Sequence, residues 1–174
     1  MSQNSFFINN YVATINGTSN VHEWTQKIGD IWGTCEVKRG ADRDVSFLSF
    51  KIGMQVNSIK SDDYPMMNDL TFKALKGDKF PEITFNLIKP IDSIPYSRSP
   101  SFLVARGRLT IAGVTQEITL PMKFVLENRL LTVEAEQQVK MTEYGVTPPT
   151  ALFGLVKTGN IITLNFKATF LASN

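Results

Sequence analysis

Residues 161–170 read IITLNFKATF, and their side chains alternate without a break. Ile162, Leu164, Phe166, Ala168 and Phe170 fall on one face, and Ile161, Thr163, Asn165, Lys167 and Thr169 on the other. Successive side chains of a strand point to opposite sides, so a period of two describes a strand with one dry and one wet face. The pattern recurs upstream. Segment 116–127 sets Ile118, Leu120, Met122, Phe124 and Leu126 against Glu117, Thr119, Lys123 and Val125. Segment 130–140 sets Leu131, Val133, Ala135 and Val139 against Thr132, Glu134, Glu136 and Lys140. Segments 45–56, 82–90 and 102–111 repeat it through Leu48, Phe50, Ile52, Met54 and Val56, through Ile83, Phe85 and Leu87, and through Leu103, Ala105, Leu109 and Ile111.

Short turns join these segments. Ala112-Gly113-Val114 places a glycine where positive φ is needed, and Glu127-Asn128-Arg129 places an asparagine there. Links this short make antiparallel neighbours, because parallel pairs require long crossovers. Further strands are expected near 6–15 and 33–39, and another over 19–28. About eight long alternating strands either stack as a sandwich or close into a barrel. The pattern switches to a helical period only from Pro65 to Lys76, where Met67, Leu70, Ala74 and Leu75 share a stripe. Asp62 or Asp63 is expected to cap this helix, Pro65 to open it and Gly77 to follow its end. Phe72 lies off the stripe and either packs on a neighbouring loop or gates an opening. No repeat, low-complexity tract or linker divides the chain, so residues 1–174 are read as one all-β domain with one short helix.

Composition excludes several classes of function. Lys plus Arg number 18 and Asp plus Glu 16, and the basic residues are scattered rather than gathered into the stripe that nucleic acid requires. No run approaches the roughly 20 apolar residues of a membrane-spanning helix. One cysteine, Cys35, and one histidine, His22, cannot supply a zinc site of the Cys/His kind. His22-Glu23-Trp24, with Ser19 nearby, is the most catalytic-looking patch, but no oxyanion-hole motif accompanies it. Asp62, Asp63 and Glu82 are better explained by helix capping than as paired catalytic carboxylates. Asn16-Gly17-Thr18 fits a glycosylation acceptor that matters only in a eukaryotic secretory setting. The chain is therefore read as a binding protein and not an enzyme, with no cofactor.

Three stretches carry a family resemblance. The first is VNSIKS at 56–61, followed by the helix and then FPEITF at 80–85. The second is GRLTIAGVTQEITLP at 107–121, and the third is MTEYGVTPPTALFG at 141–154, leading into the last strand. In this order and spacing they resemble the YceI-like family of lipocalin-like barrels, the polyisoprenoid-binding proteins. The resemblance implies an antiparallel lipocalin-like β-barrel of about eight strands, a helix packed beside it, and a long apolar tunnel inside. It implies an isoprenoid or quinone tail, or a fatty acyl chain, as the partner, and a carrier or reservoir role. It also implies a bacterial, periplasmic or otherwise exported protein, with the cytoplasm as the alternative. The opening Met1-Ser2-Gln3-Asn4-Ser5 is polar and shows no export signal. A homodimer is an admissible assembly.

For the tunnel wall, the inward apolar residues chosen are Trp24, Phe50, Met54, Met67, Leu70 and Phe85. Leu87, Leu109, Met122, Phe124, Phe153 and Phe166 complete the set. A head group is expected at the mouth, near Arg106, Arg108 or Tyr144. The competing expectation is a barrel packed solid by these same residues, serving as a structural or protein-interaction module, because most of a barrel interior must be filled in any case.

Overall fold

A computed structural model describes residues 2–174. The chain runs β1 (Ser2–Thr18), β2 (Glu23–Ile28), β3 (Ile31–Arg39), β4 (Asp44–Gln55) and β5 (Ile59–Lys60), then the helix α1 (Met66–Ala74). It continues through β6 (Glu82–Leu87), β7 (Ile91–Pro95), β8 (Ser101–Ile111), β9 (Val114–Glu127) and β10 (Leu130–Lys140). Short strands β11 (Thr150–Ala151) and β12 (Val156–Lys157) precede β13 (Ile161–Ala172). Eight strands close an antiparallel ring in the order β1, β3, β4, β6, β8, β9, β10 and β13, and β13 returns to β1. Closure leaves none of these eight without a neighbour, which removes the exposed sheet edge that an open sheet must manage.

Departures from the regular ring shape both ends. The first part of β1 pairs with β3 and its last five residues pair with β2 instead. β2 in turn takes β5, so these two short strands prolong the wall beyond β3. At the opposite end β7 replaces β6 beside the start of β4. The β3–β4 ladder shifts register where Val37 faces Phe47 and Glu36 faces Ser49, so Leu48 is the extra residue of a bulge. This corrects the expected phase of segment 45–56. Val45 and Phe47 are buried before the bulge, Phe50, Ile52 and Met54 after it, and Leu48 itself is only half-buried.

The helix begins after Pro65 as its sequence predicts, but its capping differs. Neither aspartate caps it; Asp62 instead pairs with Lys27 of β2. At the other end Lys76, not Gly77, takes the left-handed conformation, with φ of 54°. The Gly77 amide donates to the Phe72 carbonyl at 2.9 Å. Gly77 is required by space, because a Cβ there would lie 2.2 Å from the Phe72 ring. Phe72 thus packs on the turn that follows its own helix and gates no opening.

Candidate functional site

The barrel interior has two unlike halves. One end is filled by phenyl rings. Phe47 of β4 meets Phe124 of β9 edge to face at 5.1 Å, and Phe50 meets Phe85 of β6 at 6.2 Å and Phe170 of β13 at 5.7 Å. Phe6, Val37, Val45, Leu131 and Val133 close the gaps between them, each almost wholly buried. Gly107 on β8 lets the Phe85 ring lie against the wall, where a Cβ would stand 2.3 Å from it. The other end is walled by shorter side chains, among them Ile15, Ile111, Val139 and Ile162. An eight-stranded barrel is just wide enough either to fill itself or to hold one ligand. Aromatic rings reach the axis and fill it; β-branched aliphatics do not, and they leave it open.

The open half is a cavity of about 630 Å³. Strands β1, β2, β6, β8, β10 and β13 form its wall, α1 roofs one side with Met67, Leu70, Thr71 and Ala74, and the segment after β10 contributes Tyr144 and Val146. Val21, Tyr64, Met66 and Leu152 line the cavity and are also exposed, so they form its rim. No lysine or arginine lines it among the described residues; its titratable neighbours are His22, Asp63, Tyr64 and Tyr144. A smaller space of about 60 Å³ adjoins it and shares Ile83, Val139 and Leu164 with it. The solid-core alternative therefore describes only the phenyl-filled half.

The chosen wall residues separate accordingly. Trp24, Met67 and Leu70 line the large cavity. Phe50, Met54, Phe85, Leu109, Met122 and Phe166 line the small one. Phe124 belongs to the solid half, Leu87 packs half-buried on the core, and neither borders a cavity. Phe153 sits at the β11–β12 turn with positive φ and its ring wholly in solvent, so it is not part of the wall. Arg106 and Arg108 occupy outward positions of β8, and Arg106 pairs with Glu117 on the outer surface at 3.3 Å; neither reaches the mouth. Tyr144 does line the cavity, and burial, with a smaller push from Glu143, moves its hydroxyl above the usual tyrosine range and keeps it neutral.

The segment before β2 is structural at the rim. Asn20 donates from Nδ2 to the Leu155 carbonyl at 2.9 Å and accepts the Lys157 amide at 2.8 Å, which ties the β11–β12 hairpin to the β1–β2 turn. The Ser19 hydroxyl donates to the His22 carbonyl at 2.9 Å and accepts the His22 amide at 3.1 Å. The imidazole stacks on Tyr64 at 4.8 Å. Serine and histidine thus form a turn, not a nucleophile and its base.

One buried wall residue is polar. Gln26 lies between Trp24 and Ile28 on the inward face of β2, is 1% exposed, and borders the cavity. Its Oε1 accepts a hydrogen bond from Thr71 Oγ1 of α1 at 3.0 Å, while its buried Nε2 has no partner among the described residues. The alternation of 24, 26 and 28 places Gln26 inward, so this polar position was within reach of the same period-two reading.

The YceI-like domain family matches residues 6–170 of the sequence. No curated protein matches it. Among solved structures, a polyisoprenoid binding domain from Saccharophagus degradans superposes with a TM-score of 0.71 at 11% identity, covering 98% of each chain. BcnA of Burkholderia cenocepacia gives 0.65 at 16% identity, covering 91% of this chain and 95% of its own. The Campylobacter jejuni YCEI protein gives 0.61 at 18%, covering 86% and 84%. At these identities the structural likeness establishes a shared fold.

Proposed function

The chain belongs to the YceI-like domain family, and from that premise we propose that it holds one long apolar molecule inside its barrel, as a carrier or reservoir. The ligand class is an isoprenoid or quinone tail, or a fatty acyl chain. The observation that carries this reading is the cavity of about 630 Å³, mostly apolar in its wall and, among the described residues, lined by no lysine or arginine. Small-molecule sites usually fall at roughly 300–1,000 Å³ and are lined mainly by apolar side chains. Each methylene moved from water into such a wall gains ~0.8 kcal/mol, so about ten gain ~8 kcal/mol before ordering costs. That corresponds to roughly micromolar affinity with no polar contact at all. The name of the Saccharophagus domain, polyisoprenoid binding, agrees with this class. Binding without catalysis fits the Ser19 and His22 geometry, since both are engaged in a turn. The expected place of action is the periplasm, on the family resemblance alone.

Organic extraction of the purified protein, followed by mass spectrometry and by uptake of a fluorescent long-chain probe, tests the reading. A long-chain lipid in the extract, or saturable uptake, is expected. Leu70→Asp puts a charge in the cavity wall on a helix that has no fully buried residue, so the variant should fold and lose uptake at least about tenfold. Phe153→Asp alters only solvent-facing surface and should keep uptake. A folded protein that yields and accepts no lipid sinks the proposal.

A further inference from the structure

We infer that the mouth of the cavity docks on a phospholipid bilayer, with the tip of the β11–β12 hairpin as the inserted element. The ligand then passes between membrane and barrel without crossing water. This rests on the chain-binding reading above and adds the surface through which the chain is loaded or delivered. The rim is apolar on three separate segments. Val21 of the β1–β2 turn, Tyr64 and Met66 at the start of α1, and Leu152 of the hairpin all border the cavity, and all are exposed. Beside Leu152 the tip adds Phe153, wholly in solvent, and Leu155, 74% exposed. Single exposed apolar residues are ordinary, but a cluster of them around one opening marks a surface that meets something apolar. The hairpin is held in place at this rim, since Asn20 bonds the Leu155 carbonyl and the Lys157 amide.

Turn chemistry at the tip points the same way. Leu152, Phe153 and Gly154 are consecutive left-handed residues, with φ of 49°, 56° and 83°. Glycine and asparagine suit that backbone, and water favours small polar side chains there too. Two bulky apolar residues thus stand where backbone and solvent both disfavour them, a conflict that belongs to function rather than to folding. Charge selects the bilayer as partner. From Tyr144 to Asn174 the chain has no acidic residue, and the one charge on the hairpin is Lys157. Lys157 is exposed and enters no ion pair among the described residues. It pairs with Thr150 at the base of the hairpin, which sets it about 7–10 Å behind the tip at the rise of a strand. Interfacial segments bury their apolar side chains to roughly 5–10 Å. With Phe153 and Leu155 at that depth, the Lys157 ammonium lies level with the lipid phosphates. Asp63, the one carboxylate lining the cavity among the described residues, belongs to the segment before α1, so that side of the rim rests in the headgroup layer.

Phosphatidylcholine vesicles carrying a pyrene-labelled long-chain ester test the inference. Flotation reads docking, and loss of pyrene excimer emission reads transfer to the protein. The purified protein should float with the vesicles, and the transfer rate should rise with vesicle concentration, as transfer by contact requires. The double substitution Phe153→Ser with Leu155→Ser removes two apolar side chains that do not line the cavity. It should weaken vesicle binding at least about tenfold and slow transfer to match, while uptake of the same probe from solution stays unchanged. Leu70→Asp should do the reverse, floating like the unaltered protein but carrying no probe. A protein that does not float, or a double variant that floats as well as the unaltered one, overturns the docking; uptake from solution then leaves the chain-binding reading standing. Dimerisation that the double substitution abolishes, with no flotation, assigns the rim to a second copy and likewise overturns it. Flotation with probe uptake from neither source sinks the chain-binding reading, and with it the loading role given to the docked rim.

Discussion

Cys35 is a thiol that the fold makes inert. It lies on β3 in the phenyl-filled half and is fully buried. Burial pushes its ionisation well above the ordinary value near 9, and the Glu36 carboxylate adds to the push. Above that ordinary value the unfolded chain releases the thiol proton while the folded chain keeps it. Stability should therefore be unaffected by this group below about pH 8 and fall as pH rises past 9, by about 1.4 kcal/mol per unit at the steepest. Urea unfolding between pH 7 and 10 measures it, and Cys35→Val should remove that part of the slope. An unchanged slope in the variant would mean that Cys35 is not the group responsible. Phe124 and Phe153 make the complementary point about reading single residues. Both are phenylalanines assigned to the wall, yet one is locked against Phe47 and the other stands in solvent. Phe124 follows the alternation of a long strand; Phe153 lies in a turn, where side-chain direction has no period.

At the scale of the element, α1 is held by its ends and its cavity-facing stripe rather than by burial, since none of its residues is fully buried. Its stop depends on two side-chain events. Lys76 accepts a left-handed backbone, and Gly77 leaves the space that the Phe72 ring occupies. Gly77→Ala should destabilise the protein by roughly 1–3 kcal/mol, as other overpacked sites do, and Phe72→Ala should remove most of that added penalty. Chemical denaturation of the two single variants and the double variant gives the coupling directly; strictly additive effects would show that the contact is not the cause. The expected aspartate caps are not formed because Asp62 is drawn to Lys27 across the gap to β2. That pair lies on the surface and adds little stability by itself. Local capping preference is weak enough for a neighbouring strand to override it.

For the whole molecule, the division into a filled and an open half ties stability to occupancy. A ligand that binds only the folded state adds stability by mass action, about 2.7 kcal/mol when it is present at a hundred times its dissociation constant. In a domain of this size each kcal/mol moves the melting temperature by roughly 2–4 °C, so the delipidated protein should melt about 5–10 °C below the reloaded one. Calorimetry before and after organic extraction and reloading measures the difference, and identical melting would mean that the cavity is not the binding site. Period-two alternation determined the eight strands of the ring, though not the short β5, β7, β11 and β12, and it determined which face of most of them turns inward, because side-chain direction in a strand is set by the residue's own position. It failed at Leu48, where one extra residue reverses the phase and the bulge depends on the partner strand. It left out Gln26, a polar side chain whose inward place follows from Trp24 and Ile28 on the same face. Sequence did not decide where the interior is hollow. That depends on which side chains meet across the barrel axis, and Phe47, Phe50, Phe85, Phe124 and Phe170 come from four separate strands. Only closure of the ring gathers those rings at one end, and leaves Ile15, Ile111, Val139 and Ile162 facing one another across open space at the other.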